Sequence, residues 1–172
     1  MLRQTRSSSK TILAIAPGKR EFGIAVFEGI QLAHFSLRIL RNRRSNKCLR
    51  KGIVELIQYC ICIFQPQVIA VRTISQYQNK SIILKSIVRV VEEQADVNQI
   101  PLVEISMDQV KIMLCNNEKP TLTKAFENIT VLYPELKQFF SRPNKWQNDY
   151  YHNLFSAVSV GVALLRSRSK SA

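Results

Sequence analysis

The stretch Thr11-Ile12-Leu13-Ala14-Ile15-Ala16-Pro17-Gly18-Lys19-Arg20-Glu21-Phe22-Gly23-Ile24-Ala25-Val26-Phe27 limits the fold more tightly than any other part of the chain. Its two halves, Thr11 to Ala16 and Phe22 to Phe27, are apolar and β-prone. Pro17-Gly18 is a turn dipeptide between them: proline presets φ, and glycine accepts the backbone angles of a reversal. The segment reads as two strands joined by a tight turn.

The remainder has the periodicity of an α/β domain. Residues 30–40 make a third extended run with Leu32, Phe35, Leu37 and Ile39 as its apolar residues, and residues 41–46 form a basic loop. From Lys47 the period changes, and Leu49, Ile53, Leu56, Ile57, Cys60, Ile61 and Phe64 fall on one helical face that Pro66 terminates. Val68-Ile69-Ala70-Val71 is a short continuous apolar strand of the kind buried on both faces. After a polar loop at 73–80, a second helix from about Ser81 to Ala95 turns Ile83, Ile87, Val88, Val91 and Ala95 inward. Pro101 to Ile105 is a fifth strand, Asp108 to Cys115 a short helix, and residues 116–119 a polar break. Another helix starts near Pro120, buries Leu122, Ala125, Phe126, Ile129 and Leu132, and stops at Pro134. Residues 135–148 read as irregular. A last helix, capped at Asn148 or Asp149 and reaching Leu165, is apolar almost all round and so belongs against a sheet.

Three meandering strands followed by strand–helix–strand units predict an α/β fold. The sheet is mixed and five-stranded, three antiparallel strands then parallel ones, with helices on both faces. A chain of 172 residues suits one such domain, 11–165, flanked by a basic disordered arm at 1–10 and a basic tail at 166–172. No internal repeat is visible.

Charge narrows the partners. The net +13 is carried entirely by residues 1–10 (+3), 38–51 (+7) and 166–172 (+3), and the other residues balance. The middle segment holds Arg38, Arg41, Arg43, Arg44, Lys47, Arg50 and Lys51 without one acid. Such concentration is the footprint of a nucleic-acid partner, whose condensed counterions are released on contact. A merely solvated basic surface is the plainer alternative. An anionic membrane fits less well, because no basic segment is also a clean amphipathic helix. The longest apolar stretch, Leu154 to Leu165, contains Ser156 and Ser159 and is too short to span a bilayer. Cys48, Cys60, Cys62 and Cys115 lack zinc-site spacing and read as thiols of a reducing compartment. A cytoplasmic or nucleoid location is expected, with an organelle as the alternative, since residues 1–10 could be a targeting fragment.

The opening layout, an apolar strand, x-Pro-Gly, then x-Gly-x-Ala-Val, resembles that of RuvC-type Holliday junction resolvases in the RNase H-like superfamily. The likeness spans Thr11 to Leu165 through the Val68-to-Val71 strand and the final helix. Sugar kinases and actin-like ATPases also open with such a hairpin, but they are longer and carry a second domain of the kind. The resemblance implies an RNase H-like fold, a homodimer, and a metal-dependent endonuclease for branched DNA in recombination and repair. Four carboxylates would hold two magnesium ions, which take hard oxygen ligands and clamp the attacking and leaving oxygens from about 4 Å apart.

The family's acids map onto other residue types here. The aspartate before Pro-Gly falls on Ala16, and the glutamate after the Val-Ile-Ala-Val strand falls on Arg72. The two acids of the final helix fall on Asn153 and Ser156, whose i, i+3 spacing puts them on one face. A shift of one residue brings in His152, and Asp149 lies a turn earlier; neither restores a pair of acids. A guanidinium at position 72 repels divalent metal. It can instead pair bidentately with a phosphate, or snorkel to solvent at the strand end.

The chain therefore reads as a RuvC-like protein that binds branched or duplex DNA without cutting it. Lys19, Arg20, Arg38, Arg41, Arg43, Arg44, Lys47, Arg50, Lys51 and Arg72 are its contact candidates. No cofactor is expected. Mg²⁺ enters only in the alternative of an active resolvase with displaced ligands, for which Glu21 and Glu28 are the nearest acids in sequence. A protein-interaction scaffold is the other alternative. His34 reads as a half-buried strand histidine and His152 as a helix-surface group. Tyr150, Tyr151 and Trp146 read as core or dimer-contact aromatics rather than base-stacking ones.

Overall fold

A computed structural model describes residues 10–40, 45–74, 81–116, 119–140 and 145–170, with the backbone alone at 145–149 and 170. The opening segment is a hairpin of β1 (Thr11–Pro17) and β2 (Glu21–Glu28), with Thr11 opposite Glu28 and Pro17 opposite Phe22. β3 (Gln31–Ile39) continues the meander across Gly29, whose φ of 62° lies in the left-handed region that glycine adopts without strain. β4 (Val68–Arg72) lies parallel to β1, and β5 (Leu102–Ile105) lies parallel to β4. The sheet order is β3-β2-β1-β4-β5, the mixed five-stranded arrangement that the sequence predicts.

Helices cover both faces. α1 (Asn46–Phe64) and α2 (Ile82–Val97) pack over Leu13, Ile15, Ile24, Val26, Ile69 and Val71. α3 (Met107–Leu114), α4 (Leu122–Leu132) and α5 (Lys145–Lys170) pack over Ile12, Ala14, Ala16, Ala25, Phe27, Val68 and Ala70. Successive strand residues alternate between the two cores, as a pleated strand requires. Each of α1 to α4 begins at a hydroxyl cap. Ser45, Ser81, Ser106 and Thr121 accept from the backbone N–H of Cys48, Leu84, Gln109 and Lys124. Each such cap is worth about 1 kcal/mol.

Several expectations shift in detail. α2 buries Leu84, Ile87, Val90, Val91, Gln94 and Ala95, while Ile83 stands exposed and Val88 is only half-buried. The consecutive apolar residues Ile82, Ile83 and Leu84 fit either phase, and packing against the sheet selects the second. Leu132, expected in the stripe of α4, is exposed at its end, and Thr130 is buried instead. Pro134 both stops α4 and opens a short 3₁₀ helix, Pro134–Phe139, because proline suits a first helical turn. α5 starts at Lys145, before the expected caps at Asn148 and Asp149, and extends past Leu165 to Lys170.

α5 lies very close to β1 and β2, and small residues allow it. A Cβ on Gly23 would stand 1.9 Å from the Asn153 carbonyl oxygen, and one on Gly161 would stand 2.1 Å from the Phe27 ring. On the other side of β2, Phe27 pairs with Leu32 and Val26 with His34, leaving Ala33 as the extra residue of a β-bulge. That bulge lets Leu32 and Phe35, three apart, pack against the same core.

Candidate nucleic-acid interface at the carboxyl end of the sheet

β1 and β4 run parallel, and β3, two reversals from β1, runs the same way, so Pro17, Arg72 and Ile39 mark one end of the sheet. Ile15 pairs with Val71. One residue further on, Ala16 and Arg72 stand side by side, and strand alternation turns both toward α5. Ala16 is buried in the core beneath that helix.

Arg72 is 5% exposed. One Nη donates to the Pro17 carbonyl and the other to Ser156 Oγ at 3.3 Å. The side chain thus turns inward instead of snorkelling, because a backbone carbonyl at the end of β1 and a hydroxyl on α5 offer acceptors within reach. Both acceptors are neutral, and no carboxylate among the described residues pairs with the guanidinium. Burial lowers its pKa to about 10, which leaves it protonated at neutral pH.

Asn153, also buried, donates its amide to the Glu21 carbonyl at 3.1 Å and so ties α5 to the start of β2. A Cβ on Gly18 would lie 2.2 Å from that amide nitrogen, so the turn glycine is needed for close approach. Of the four positions read as matching the family's acids, Arg72 and Ser156 are bonded and Ala16 adjoins them. Asn153 lies one turn away on the same helix.

These residues do not fit a pair of magnesium ions. Ala16 has no donor atom, Asn153 is engaged with the Glu21 carbonyl, and Ser156 is bonded to a fixed cation, Arg72. Among the described residues, no group of three or more His, Cys, Asp or Glu is placed to hold a metal ion. Glu28 pairs with Thr11 at the opposite end of the sheet, so it is no displaced ligand here; Glu21 is at the correct end.

Beside Arg72 opens a cleft of about 250 Å³ lined by Arg72, Thr73, Ser106, Asp108, Leu122 and His152. The start of α3 forms one wall, fixed by a capping box in which Ser106 and Gln109 exchange hydrogen bonds of 2.8 and 3.1 Å. The spacing Ser106-x-x-Gln109 is the signal that could have located this wall in the sequence. Asp108 pairs with Lys111 at 2.6 Å. His152 is half-buried, its ring edge-on to Phe126 at 5.5 Å, and it faces this cleft rather than open surface.

Around the same end, Lys19 and Arg20 are exposed on the turn, and Leu40 N–H donates to the Arg20 carbonyl at 2.9 Å, fastening the end of β3 to it. Arg38 is exposed near the end of β3, and Lys47 in the first turn of α1. Arg50 pairs with Glu93 and Lys51 with Glu55 (3.9 Å), so part of the basic run is internally compensated. Arg41, Arg43 and Arg44 lie outside the described residues, as do the basic arm (1–9) and the side chain of Trp146. Tyr151 packs on Phe139 (5.0 Å) and Tyr150 on Tyr151 (4.8 Å). His34 stacks on Phe64 at 5.1 Å, and burial, then the Arg38 charge, lower its pKa. All four cysteines are free; burial raises the Cys60 thiol to about 11. No helix among the described residues is long and apolar enough to cross a membrane.

No family model and no curated protein matches the sequence. Solved structures do resemble the fold. RuvC of Thermus thermophilus in complex with a Holliday junction substrate superposes with a TM-score of 0.72 at 15% identity, over 95% of this chain and 98% of that one. The yeast mitochondrial Holliday junction resolvase Ydc2 gives 0.65 at 12% identity, over 94% and 80%.

Proposed function

We propose that this chain, which has the RuvC-like form of the RNase H-like fold, binds branched or duplex DNA through the basic carboxyl end of its sheet and does not carry out two-metal phosphodiester hydrolysis. The observation behind this reading is Arg72. A buried guanidinium is held by Pro17 and Ser156 beside Ala16, fixed positive charge at positions that the family resemblance matches to metal-binding acids. Such charge repels divalent metal and attracts phosphate. Lys19, Arg20, Arg38 and Lys47 extend the positive surface outward, with Arg41, Arg43, Arg44, Arg50 and Lys51 as further contacts along the same segment. A homodimer, implied by the likeness, would double this surface.

The test uses a four-way junction and a matched duplex. Binding is expected to persist in EDTA and to fall steeply with salt, by about 0.9 in log–log slope for each phosphate engaged. Junction cleavage in magnesium or manganese would overturn the loss of hydrolysis. Absence of salt-dependent binding to either substrate would favour the scaffold alternative, and sedimentation at low salt reads the oligomeric state.

A further inference from the structure

A groove between the end of β3 and α1 takes no part in the Arg72 site. It holds about 260 Å³ and is lined by Arg38, Ile39, Leu40, Leu49, Gly52 and Leu56. Gly52 is the informative residue. Glycine inside a helix costs about 1 kcal/mol relative to alanine. The other glycines have internal reasons: Gly18, Gly23 and Gly161 permit close contacts, and Gly29 adopts positive φ. A Cβ added to Gly52 would meet nothing within 4 Å. The bare stretch of α1 therefore serves nothing inside the fold, and it opens onto the groove.

Charge decides what comes to it. Arg38 stands in the wall, Lys51 adjoins Gly52 on α1 with Lys47 one turn before it, and Glu55, the acid nearest in sequence, is paired to Lys51. A second copy of this chain would bring the same basic surface against itself, whereas a polyanion is attracted. The walls offer aliphatic surface, with Ile39 49% exposed, and a guanidinium beside it. That combination receives a flat aromatic group, stacked by dispersion and by cation–π attraction. Bases paired and stacked in a duplex have no free face to insert.

We propose that this groove takes an unpaired base of a nucleic-acid strand, its face on Ile39, Leu49 and Leu56 beside Arg38, and its flanking phosphates on Lys47 and Lys51. The inference rests on the nucleic-acid reading above and adds a preference for single-stranded or unpaired segments.

Gly52→Leu tests it, since leucine fills the groove from the helix and is a better helix former than glycine. The full chain is titrated with a labelled oligothymidine and with a matched duplex, and thermal melts check that the variant is folded. Loss of one stacked base predicts oligothymidine binding weaker by about tenfold or more, with duplex binding changed by less than about twofold. Gly52→Ala, too small to fill the groove, is expected to lose much less. A folded Gly52→Leu variant that binds oligothymidine like the wild type overturns the groove assignment alone. Equal losses on both nucleic acids, or a free dimer that Gly52→Leu dissociates, also overturn it. A wild-type chain that binds neither nucleic acid overturns both this inference and the broader reading.

Discussion

Under α1 and α2 the strands present Leu13, Ile15, Ile24, Val26, Ile69 and Val71, all branched and all buried. On the opposite face the same strands present Ile12, Phe27 and Val68 at one end and then, toward the carboxyl end under α5, Ala14, Ala16, Gly23, Ala25, Ala70 and finally Arg72. Bulky residues hold a helix away from the sheet and fill the gap with hydrocarbon, so stability there follows from volume. Small residues let the helix backbone come close, and groups that act over hydrogen-bond distances can then join strand to helix. Asn153 to Glu21 and Arg72 to Ser156 are joints of that second kind. Both faces supply cohesion, and the one under α5 also fixes polar groups at the sheet's carboxyl end.

The contrast can be broken at its strongest point by Arg72→Glu. A carboxylate facing the Pro17 carbonyl has no partner, and chemical denaturation is expected to register a loss of about 3–5 kcal/mol. Arg72→Met should cost far less, because it removes a buried charge without leaving another. Similar losses for Glu and Met would mean that the guanidinium is held for its bonds and not constrained by its charge. On the opposite face Ile57→Ala, at a fully buried site, should cost about 3 kcal/mol by the same measurement. Gly23→Ala sharpens the comparison from the other direction, since adding one methyl should cost about 1–3 kcal/mol by pushing α5 off the sheet. A neutral outcome there would refute the close-packing account.

The smallest effect concerns pH. His34 has a lowered pKa in the fold, through burial and Arg38, so the unfolded chain takes up a proton at higher pH than the folded one. Its contribution is present above the unfolded value of about 6.5 and is lost as pH falls from there toward the folded value. His34→Gln should flatten the fall in melting temperature over that acidic range.

Much of this was legible in the chain itself. The hairpin, the continuous apolar strand β4 and the inner face of α1 follow from periodicity, and with them the mixed five-stranded sheet. The family resemblance put Ala16 and Arg72 in one site in expectation, and the register of β1 and β4 makes them neighbours. What the sequence hid was the direction of Arg72. Its acceptors are a backbone carbonyl, which no residue type announces, and a serine 84 positions away. The phase of α2 was hidden for a different reason: three adjacent aliphatic residues satisfy two helical faces equally, and only contact with the sheet separates them.

The bulge at Ala33 has a consequence for the molecule in company. β3 is an outer strand, and its free side would otherwise offer an unbroken row of backbone donors and acceptors to any passing chain. The extra residue throws that row out of step midway and increases its local twist, so an incoming strand can match only part of it. The same irregularity that seats Leu32 and Phe35 in one core therefore guards the sheet's border against aggregation.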